Sequence, residues 1–307
     1  MNTAGGEAIE AETNVTISSG EITVSSVGKG INGTISTLID GGNFIIDSVD
    51  DAIHSNGTIT INNGSFVISS DDDAIHADDD LVINDGDINI TNSYEGIESG
   101  EGNITINDGE IHLVSSDDGL NLAAGGGVSG RGSISTGNYY LYINGGYIVI
   151  DAGGDGIDAN ASIVMTGGDV IVSRSTASSN SALDYDGSFA MNSGFLVATG
   201  TSRMAEAPGS SSDQNSVLVN FSSTQSAGTL IHIEDQSGQD ILTLSPAKSY
   251  DSVAFSSPDL AIGSTYNVYL GGSSSGTLLD GLYTDGTYSP GTKYKSFTIS
   301  STVTTVN

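Results

Sequence analysis

The sequence has 307 residues, of which 38 are acidic and only 7 are lysine or arginine, so its formal net charge is −31. Nucleic acid and anionic membranes are poor partners for such a chain, because they carry the same sign of charge. No cysteine is present, which leaves neither disulfides nor thiolate metal ligands. No apolar run reaches the roughly 18 residues of a transmembrane helix, so we expect no membrane insertion.

A 22-residue repeat begins close to the N-terminus. One apolar marker position recurs every 22 residues from Ile9 to Ile97, and Leu120 follows after 23. Each repeat also contains two runs of alternating apolar residues, separated by a glycine that recurs from Gly20 to Gly194. The alternation predicts short strands with one face inward, and the glycine predicts a sharp turn. Three strands in about 22 residues predict one coil of a parallel β-solenoid.

The sequence therefore predicts an all-β fold, a right-handed parallel β-helix, because parallel crossovers are right-handed as a rule. Stacked coils place equivalent residues in columns with a spacing of about 4.8 Å. One column is expected to form a ladder of hydrogen-bonded amides. Its members are Asn62, Asn84, Asn107, Asn144 and Asn192.

The repeat is interrupted after Leu122 and ends near Thr201. The insertion from Ala123 to Gly137 predicts a loop ejected at a coil corner. After Thr201 a linker-like passage leads into alternating segments that no longer repeat. We expect a β-helix over residues 1–200 and an antiparallel β cap over residues 201–307, because the open end of a solenoid is an unpaired sheet edge.

The location of the protein is predicted from composition and from the first repeat. Gly6 to Glu12 already occupies the repeat pattern, so we expect Met1 to begin part-way through a longer chain, with any export signal upstream. The acidic, cysteine-free composition, rich in Ser, Thr, Asn and Gly, is typical of an exported protein. We therefore expect an extracellular, cell-surface location.

Charged and polar residues recur at three positions of the repeat and predict three columns. Two residues before the marker, the column reads Glu7, Lys29, Asp51, Asp73, Glu95, Asp118 and Asp155. One residue further back, it reads Asp50, Asp72 and Asp117, with interruptions. One residue after the marker, it reads Glu10, Asn32, His54, His76, Glu98, Asn121, Asp158 and Asp184.

Carboxylates stacked at the strand spacing repel each other by roughly 3 to 4 kcal/mol per pair at an effective dielectric constant of about 20. Either their pKa values rise, or a cation lies between the coils. Calcium suits this geometry, because its bonds to oxygen of about 2.3 to 2.6 Å let one ion span two stacked carboxylates. The alternative is a solvated acidic face of a salt-adapted protein.

Two histidines break the third column. His54 and His76 stack in it with Glu98 next, which indicates either a transition-metal site or a row of exposed polar neighbours.

Aromatic residues near the insertion carry a second binding hypothesis. Tyr140, Tyr142 and Tyr147 alternate with inward apolar residues, so we expect them to face outward near the inserted loop. Such tyrosines either stack on sugar rings or pack against each other across strands. With Arg131 of the insertion, they are the candidate substrate-binding residues.

A catalytic function would depend on Lys29, which is the only lysine or arginine before Arg131. A polysaccharide lyase on this scaffold would use calcium to neutralise a substrate carboxylate and a lysine as base. Lys29 lies in the acidic column between Glu7 and Asp51, which also suits a lysine that neutralises its neighbours. No P-loop, nucleophile elbow or dinucleotide fingerprint occurs in the sequence.

Several segments resemble one bacterial family, namely GDGIDANASIVMTGGDVIVS, ALDYDGSF, RMAEAPGSSSDQ, SSPDLAIGSTYNVYLGG and SPGTKYKSFTISS. From Asp50 onward the chain is similar to exported β-helix proteins with carbohydrate-binding domains, typified by a cell-surface protein of a cellulolytic clostridium. The resemblance implies a right-handed parallel β-helix with several bound calcium ions and no established catalysis. It also implies binding of acidic plant polysaccharide such as polygalacturonate, and of cellulose.

The motif positions of the family imply calcium ligands in this chain. They correspond to Asp117, Asp118, Asp155, Asp158, Asp184 and Asp186. Repeat equivalence extends the same role to Asp50, Asp51, Asp72, Asp73 and Glu95. Lys29, His54 and His76 depart from a uniform calcium ladder.

We therefore expect a non-catalytic, calcium-loaded surface protein that binds acidic polysaccharide, such as pectin, with calcium bridging protein and sugar carboxylates. The alternatives are a pectate-lyase-like enzyme that uses Lys29 and a structural subunit that stacks end to end into filaments.

Overall fold

The computed structural model describes residues 2–3, 6–26, 28–124, 139–174 and 180–307. Within them the fold is all-β, with three sheets, A, B and C, wound into a parallel solenoid, and a fourth sheet, D, which is antiparallel. None of the described residues forms a helix that could cross a membrane. The predicted class, a parallel β-helix followed by antiparallel structure, is confirmed.

Each coil of the solenoid contributes one strand to sheet B, then one to sheet C, then one to sheet A. In spatial order, sheet B consists of Ile9–Ala11, Ile31–Gly33, Ile53–Ser55, Ile75–Ala77, Ile97–Ser99, Leu120–Leu122, Ile157–Ala159 and Leu183–Tyr185. Sheet C consists of Asn14–Ile17, Ser36–Ile39, Thr58–Ile61, Leu81–Ile83, Ile104–Ile106, Tyr140–Ile143, Ser162–Met165 and Phe189–Met191.

Sheet A continues from the solenoid into the C-terminal region. Its parallel strands are Asn2–Thr3, Glu21–Ser26, Asn43–Ser48, Ser65–Ser70, Asp87–Asn92, Glu110–Ser115, Tyr147–Ala152, Asp169–Arg174 and Phe195–Gly200, followed by Tyr250–Ser256, Ser216–Gln225 and Val303–Val306. Sheet D consists of Thr277–Leu279, Leu282–Thr284, Asp240–Leu244, Ile231–Asp235, Thr265–Ser274 and Tyr288–Thr298.

The sequence repeat becomes the spatial register of the sheets. In sheet B, the marker Ile75 pairs with Ile53 on one side and with Ile97 on the other. All three isoleucines are fully buried in the solenoid core. Phe44 and Phe66 of sheet A stack in the same core with ring centroids 4.6 Å apart. Because identical apolar side chains stack along the axis, the interior is a set of continuous apolar columns.

The predicted amide ladder forms over four coils. The Nδ2 atom of Asn84 donates to Oδ1 of Asn62 (2.7 Å), and Asn107 and Asn144 repeat this bond at 2.7 and 2.9 Å. Thr166 takes the next rung and donates its hydroxyl to Asn144 (2.8 Å), so Asn192 lies beyond the run of amides.

The glycine corner between sheets C and A also follows the prediction. Gly86 and its equivalents have positive φ, between 82° and 140° along the column. A Cβ at Gly86 would lie only 3.1 Å from the carbonyl oxygen of Gly64, so the close stacking of these corners requires glycine.

The C-terminal region covers a side of the solenoid as well as extending it. Strand Phe195–Gly200 pairs antiparallel with Tyr250–Ser256, so sheet A runs without a break across the expected domain boundary. The outward side chains Ile171 and Val197 of sheet A are buried in a second core against sheet D. The non-repetitive region therefore buries the outer face of the last coils.

The linker-like passage after Thr201 covers the ends of sheets B and C. The carbonyl of Ala207 accepts the hydroxyl proton of Tyr185 (2.8 Å), and the Gly209 amide donates to the Phe189 carbonyl (2.7 Å). The Gln214 amide donates to the Met191 carbonyl (3.0 Å). These bonds satisfy backbone and side-chain groups at the last coil, so this passage is part of the cap.

The amide ladder is expected to stabilise the solenoid measurably. Asn84→Ala removes a donor and an acceptor in the middle of the ladder, and we expect a loss of about 1 to 2 kcal/mol in the free energy of unfolding. Denaturant unfolding followed by circular dichroism measures this loss. Asn89→Ala is the matched control, because Asn89 is exposed on sheet A of the same coil. Equal effects of the two substitutions would contradict the role of the ladder.

Candidate functional site

Two neighbouring columns bring the polar residues of the repeat together. We call the residues at the corner between sheets A and B the corner column, which contains Lys29, Asp51, Asp73, Glu95, Asp118 and Asp155. We call the outward residues of sheet B the face column, which contains Asn32, His54, His76, Glu98, Asn121, Asp158 and Asp184. The pairing register of sheet B places each member of the face column beside its counterpart in the next coil, as the repeat predicts.

Each aspartate of the corner column uses one oxygen to bind the backbone of the next coil. Its Oδ1 atom accepts the amide hydrogen of the residue at the equivalent position one coil later. These bonds join Asp51 to Asp73 (3.3 Å), Asp73 to Glu95 (3.1 Å), Asp118 to Asp155 (2.6 Å) and Asp155 to Ser181. The second oxygen, Oδ2, is left to contact a cation.

In the N-terminal half, side chains of the protein supply that cation. The Lys29 ammonium donates to Asp50 (3.1 Å) and to Oδ2 of Asp51. Nδ1 of His54 lies 2.8 Å from the same Asp51 oxygen, and Nδ1 of His76 lies 3.0 Å from Oδ2 of Asp73. Positive charge therefore accompanies the stacked carboxylates in these coils.

The pKa values in this half follow from the pairing. Burial alone would raise the pKa of Asp51, but contacts with His54 and Lys29 outweigh it and bring the pKa down to about 2. Burial alone would lower the pKa of His76, but the carboxylates of Asp73, Glu98 and Asp51 raise it to about 9. Asp51 is thus ionised and His76 is protonated at neutral pH.

In the C-terminal half, three carboxylates meet without a lysine or histidine. Oxygens of Asp118, Asp155 and Asp158 lie within 4.8 Å of one another. Among the described residues, no lysine or histidine forms an ion pair with any of the three. Arg174 is fully buried and donates its Nε hydrogen to the Gly154 carbonyl (2.7 Å), and its positive charge partly opposes the rise in the pKa of Asp155. Carboxylate charge at this group is therefore not paired with a lysine or histidine, in contrast to the N-terminal half.

Burial and mutual repulsion raise the pKa values of this group. Burial is the largest cause for all three residues, followed by charge from neighbouring carboxylates. The pKa of Asp118 rises to about 7, that of Asp155 to about 6 and that of Asp158 to about 8. Backbone hydrogen bonds to Asp118 and Asp155 partly oppose the rise. Protons or a metal ion must compensate this charge at neutral pH.

Asn121 adds a neutral oxygen beside the three carboxylates. Its Nδ2 atom donates to Glu95 (2.6 Å) and Glu98 (3.3 Å) of the preceding coil. Its Oδ1 atom is buried and has no hydrogen-bond partner among the described residues. Because the amide donates toward the preceding coil, its carbonyl oxygen turns toward the following one, where Asp158 is the paired residue. An unsatisfied buried acceptor beside three carboxylates fits a cation site.

The donor set fits calcium. All of the donors are oxygens, from carboxylates and one amide carbonyl, which are the ligands that calcium prefers. No sulfur or imidazole contacts Asp118, Asp155 or Asp158 in the described structure.

The remaining predicted ligands lie around this group in different environments. Asp184 pairs with Asp158 in sheet B and is half-buried, whereas Asp186 is exposed beyond the end of its strand. Asp117 is half-buried at the same corner, and Asp72 is exposed, with a pKa raised by burial and by neighbouring aspartates.

One acidic residue near the site was not predicted from the sequence. Glu206 lies outside the repeat, in the passage after Thr201 that covers the ends of sheets B and C. Its pKa rises to about 7 through burial and through the charges of Asp184, Asp186 and Asp155. No periodicity signals this residue, because it reaches the last coil from the cap.

The three predicted tyrosines do not form one surface. Tyr140 and Tyr142 lie on sheet C, half-buried, with ring centroids 5.2 Å apart and nearly parallel planes. Tyr147 lies on sheet A and donates its hydroxyl hydrogen to Asp280 of the C-terminal region (2.9 Å). Tyr147 is therefore outward on sheet A but half-buried, because the C-terminal region contacts it, and its role in sugar binding stays a prediction. Arg131 lies outside the described residues.

Comparison with known proteins identifies the family. A family model described as "carbohydrate-binding domain-containing protein" matches residues 2–74 and 67–236, which is more than half of the chain. The chain belongs to this carbohydrate-binding family. No curated protein and no solved structure matches it. The family match includes the corner column, the face column and the passage after Thr201 that covers the last coil. It ends before most of sheet D.

The raised pKa values predict the pH dependence of the calcium-free protein. Asp118, Asp155 and Asp158 have pKa values of about 6 to 8 when folded and about 4 when unfolded. Their protonation therefore stabilises the fold below about pH 4, and this contribution is lost as the pH rises through 6 to 8. In chelator, we expect a lower melting temperature at pH 8.5 than at pH 5.5, and calcium should remove most of the difference. Asp158→Asn should reduce the difference, and an unchanged pH dependence in this variant would contradict the assignment.

Proposed function

We propose that the protein binds acidic polysaccharide, such as polygalacturonate, through calcium held by Asp118, Asp155, Asp158 and Asn121, and that it does so without catalysis. The observation that carries the proposal is this group of three half-buried carboxylates beside the buried Asn121 oxygen, which forms no ion pair with lysine or histidine in the described structure. Membership of a carbohydrate-binding family supports a glycan as the partner. The expected extracellular location suits a polymer that lies outside the cell.

Calcium explains how a chain with a net charge of −31 can hold a polyanion. Two negatively charged polymers repel each other, and a divalent ion shared between their carboxylates replaces repulsion by attraction. Calcium takes about 6 to 8 oxygen ligands. The four side chains leave room in that shell for a sugar carboxylate, so bound calcium would supply the link to the glycan.

The position of Tyr140 and Tyr142 suits a glycan that extends from the columns. The inserted segment leaves sheet B after Leu122 and enters sheet C directly before Tyr140. The two tyrosines therefore lie one corner away from the outer face of sheet B, in the coil that contains Asn121. Phenol rings with an exposed edge can pack against the apolar face of a sugar ring.

The environment of Lys29 argues against a lyase. A catalytic base must lose its proton near the working pH. Burial would lower the pKa of Lys29, but hydrogen bonds and charge from Asp51 and Asp50 outweigh burial and raise it. The ammonium therefore keeps its proton and serves as a partner of the corner carboxylates.

Removing one ligand is expected to weaken both calcium binding and glycan binding. Asp158→Asn keeps the side-chain shape but removes a charge, and we expect calcium affinity to fall at least about tenfold, or about 1.4 kcal/mol. Calorimetric titration with calcium and electrophoresis through gels that contain polygalacturonate measure the two effects.

The controls for this experiment separate charge at the site from charge elsewhere. Asp169→Asn removes the same charge from an exposed position of sheet A and should leave both measurements unchanged. Fully methyl-esterified pectin lacks the sugar carboxylates and should not retard the protein. Retardation by polygalacturonate in the presence of chelator would refute the proposal.

A test for turnover separates binding from lyase activity. We expect no unsaturated uronide, measured by ultraviolet absorbance, from either the unmodified protein or Lys29→Ala in calcium. Product that forms with the unmodified protein and is lost in Lys29→Ala would establish the lyase function instead.

A further inference from the structure

The N-terminal half of the columns contains a second cluster whose donors differ from those of the calcium group. Asp51, His54 and His76 place ligand atoms within 4.8 Å of one another, and so do Asp73, His76 and Glu98. His76 belongs to both groups. The rings of His54 and His76 lie 5.1 Å apart at an angle of 67°. Two imidazoles and three carboxylates therefore converge over three successive coils.

The Nδ1 atom of His76 lies near three carboxylate oxygens, more than one N–H group can bind. Its Nδ1 atom lies 3.0 Å from Asp73, 3.2 Å from Glu98 and 3.9 Å from Asp51. A single N–H group forms one good hydrogen bond, and the structure shows that bond to Asp73. The oxygens of Glu98 and Asp51 remain close without receiving this hydrogen.

His54 provides an independent sign of a missing partner. Its side chain is almost completely buried, and its Nδ1 atom makes no hydrogen bond within the described part of the chain. Oδ2 of Asp51 lies 2.8 Å away but outside the direction of a hydrogen bond. The lone pairs of His54 Nδ1 and Asp51 Oδ2 can both bind one metal ion placed between these two atoms.

The donor separations match a tetrahedral metal centre. Zinc lies about 2.0 to 2.2 Å from nitrogen and carboxylate oxygen, so tetrahedral geometry separates its ligand atoms by roughly 3.3 to 3.6 Å. The separations of 2.8 to 3.9 Å between Asp51, His54 and His76 bracket this range. Imidazole nitrogen combined with carboxylate oxygen favours zinc and related transition metals over calcium.

We propose that His54 and His76 bind a zinc ion through their Nδ1 atoms, with Asp51 and a second carboxylate from Asp73 or Glu98 completing the shell. The ion takes the place of the Nδ1 proton of His76, which is released to solvent, because only a neutral imidazole binds a metal. The site is separate from the proposed calcium group and uses nitrogen ligands that the calcium group lacks. Lys29 shares Oδ2 of Asp51 and therefore competes with the metal for this oxygen.

The chain itself suggests the substitution that tests this site. The face column carries asparagine at Asn32 and Asn121, so His54→Asn and His76→Asn introduce a residue that the same column already accommodates. The chelator-treated full chain is titrated with zinc chloride in excess calcium. We expect one zinc per chain, and we expect the affinity to fall more than about 100-fold in the double variant, because loss of a residue that only orients a ligand already costs about 10- to 100-fold.

Two further variants separate this proposal from the calcium proposal and from nonspecific binding. His112→Asn, which alters a histidine outside the columns, and Asp158→Asn should bind zinc as the unmodified protein does. Lys29→Met should bind zinc more tightly, because it removes the competing ammonium. Cobalt(II) in place of zinc should give the strong visible absorption of tetrahedral coordination, and the double variant should lack it.

The outcomes that overturn the proposal are distinct. The site is refuted if the double variant binds zinc like the unmodified protein, if calcium displaces the zinc, or if the unmodified protein shows no saturable zinc binding. Because the calcium titration of the double variant is run in parallel, loss of zinc with retained calcium affinity also shows that the fold is intact.

Discussion

In-register parallel stacking is the constraint on which the structure depends. Each coil places the same side chain directly above its equivalent, at about the strand spacing of 4.8 Å. This repetition stabilises apolar residues, which form continuous columns such as Ile53, Ile75 and Ile97. It also stabilises amides, because each Asn both donates and accepts along the axis. For carboxylates the same repetition is unfavourable, since like charges are brought together.

The corner column shows how the chain manages this repulsion. Backbone amides of the next coil donate to one oxygen of Asp51, Asp73, Asp118 and Asp155, so hydrogen bonds stabilise part of each negative charge. What remains is compensated differently in the two halves. In the N-terminal half, Lys29, His54 and His76 contact the stacked aspartate carboxylates. In the later coils the charge raises the pKa values of Asp118, Asp155 and Asp158. The two halves therefore present two different donor sets, one with imidazole nitrogen and one with oxygen alone.

Features that repeat were accessible from the sequence, and features that occur once were not. The marker spacing predicts the pairing of Ile75 with Ile53 and Ile97, and the glycine spacing predicts the sharp turns between sheets C and A, where these glycines have positive φ. In both cases each residue meets only its own equivalents, so periodicity determines the contact. The backbone bond to Asp118 also repeats, but it depends on a side-chain rotamer that no spacing reveals.

The C-terminal region limited the prediction because it folds back onto earlier coils. Asp280 of this region contacts Tyr147, which lies 133 positions earlier in the sequence. A repeat of about 22 residues cannot predict a contact between such distant residues. Glu206 reaches the end of sheet B in the same way. The alternation of Tyr147 with Ile148 correctly indicates an outward side chain, but outward from the solenoid is not the same as exposed when another sheet covers that face.

The face column connects stability with ligand choice at the level of single residues. Its positions are structurally equivalent, so exchanging Asn, His, Glu or Asp along it changes the chemistry of the outer face without changing the fold. Imidazoles at His54 and His76 give that segment nitrogen donors, whereas Asn121 and Asp158 give the next segment only oxygen donors. In the proposed function, the affinity of this face for a polyanion would depend on which cations these residues bind. Under the proposed function, sugar binding by this chain would follow from the charge pattern that the stacked columns create.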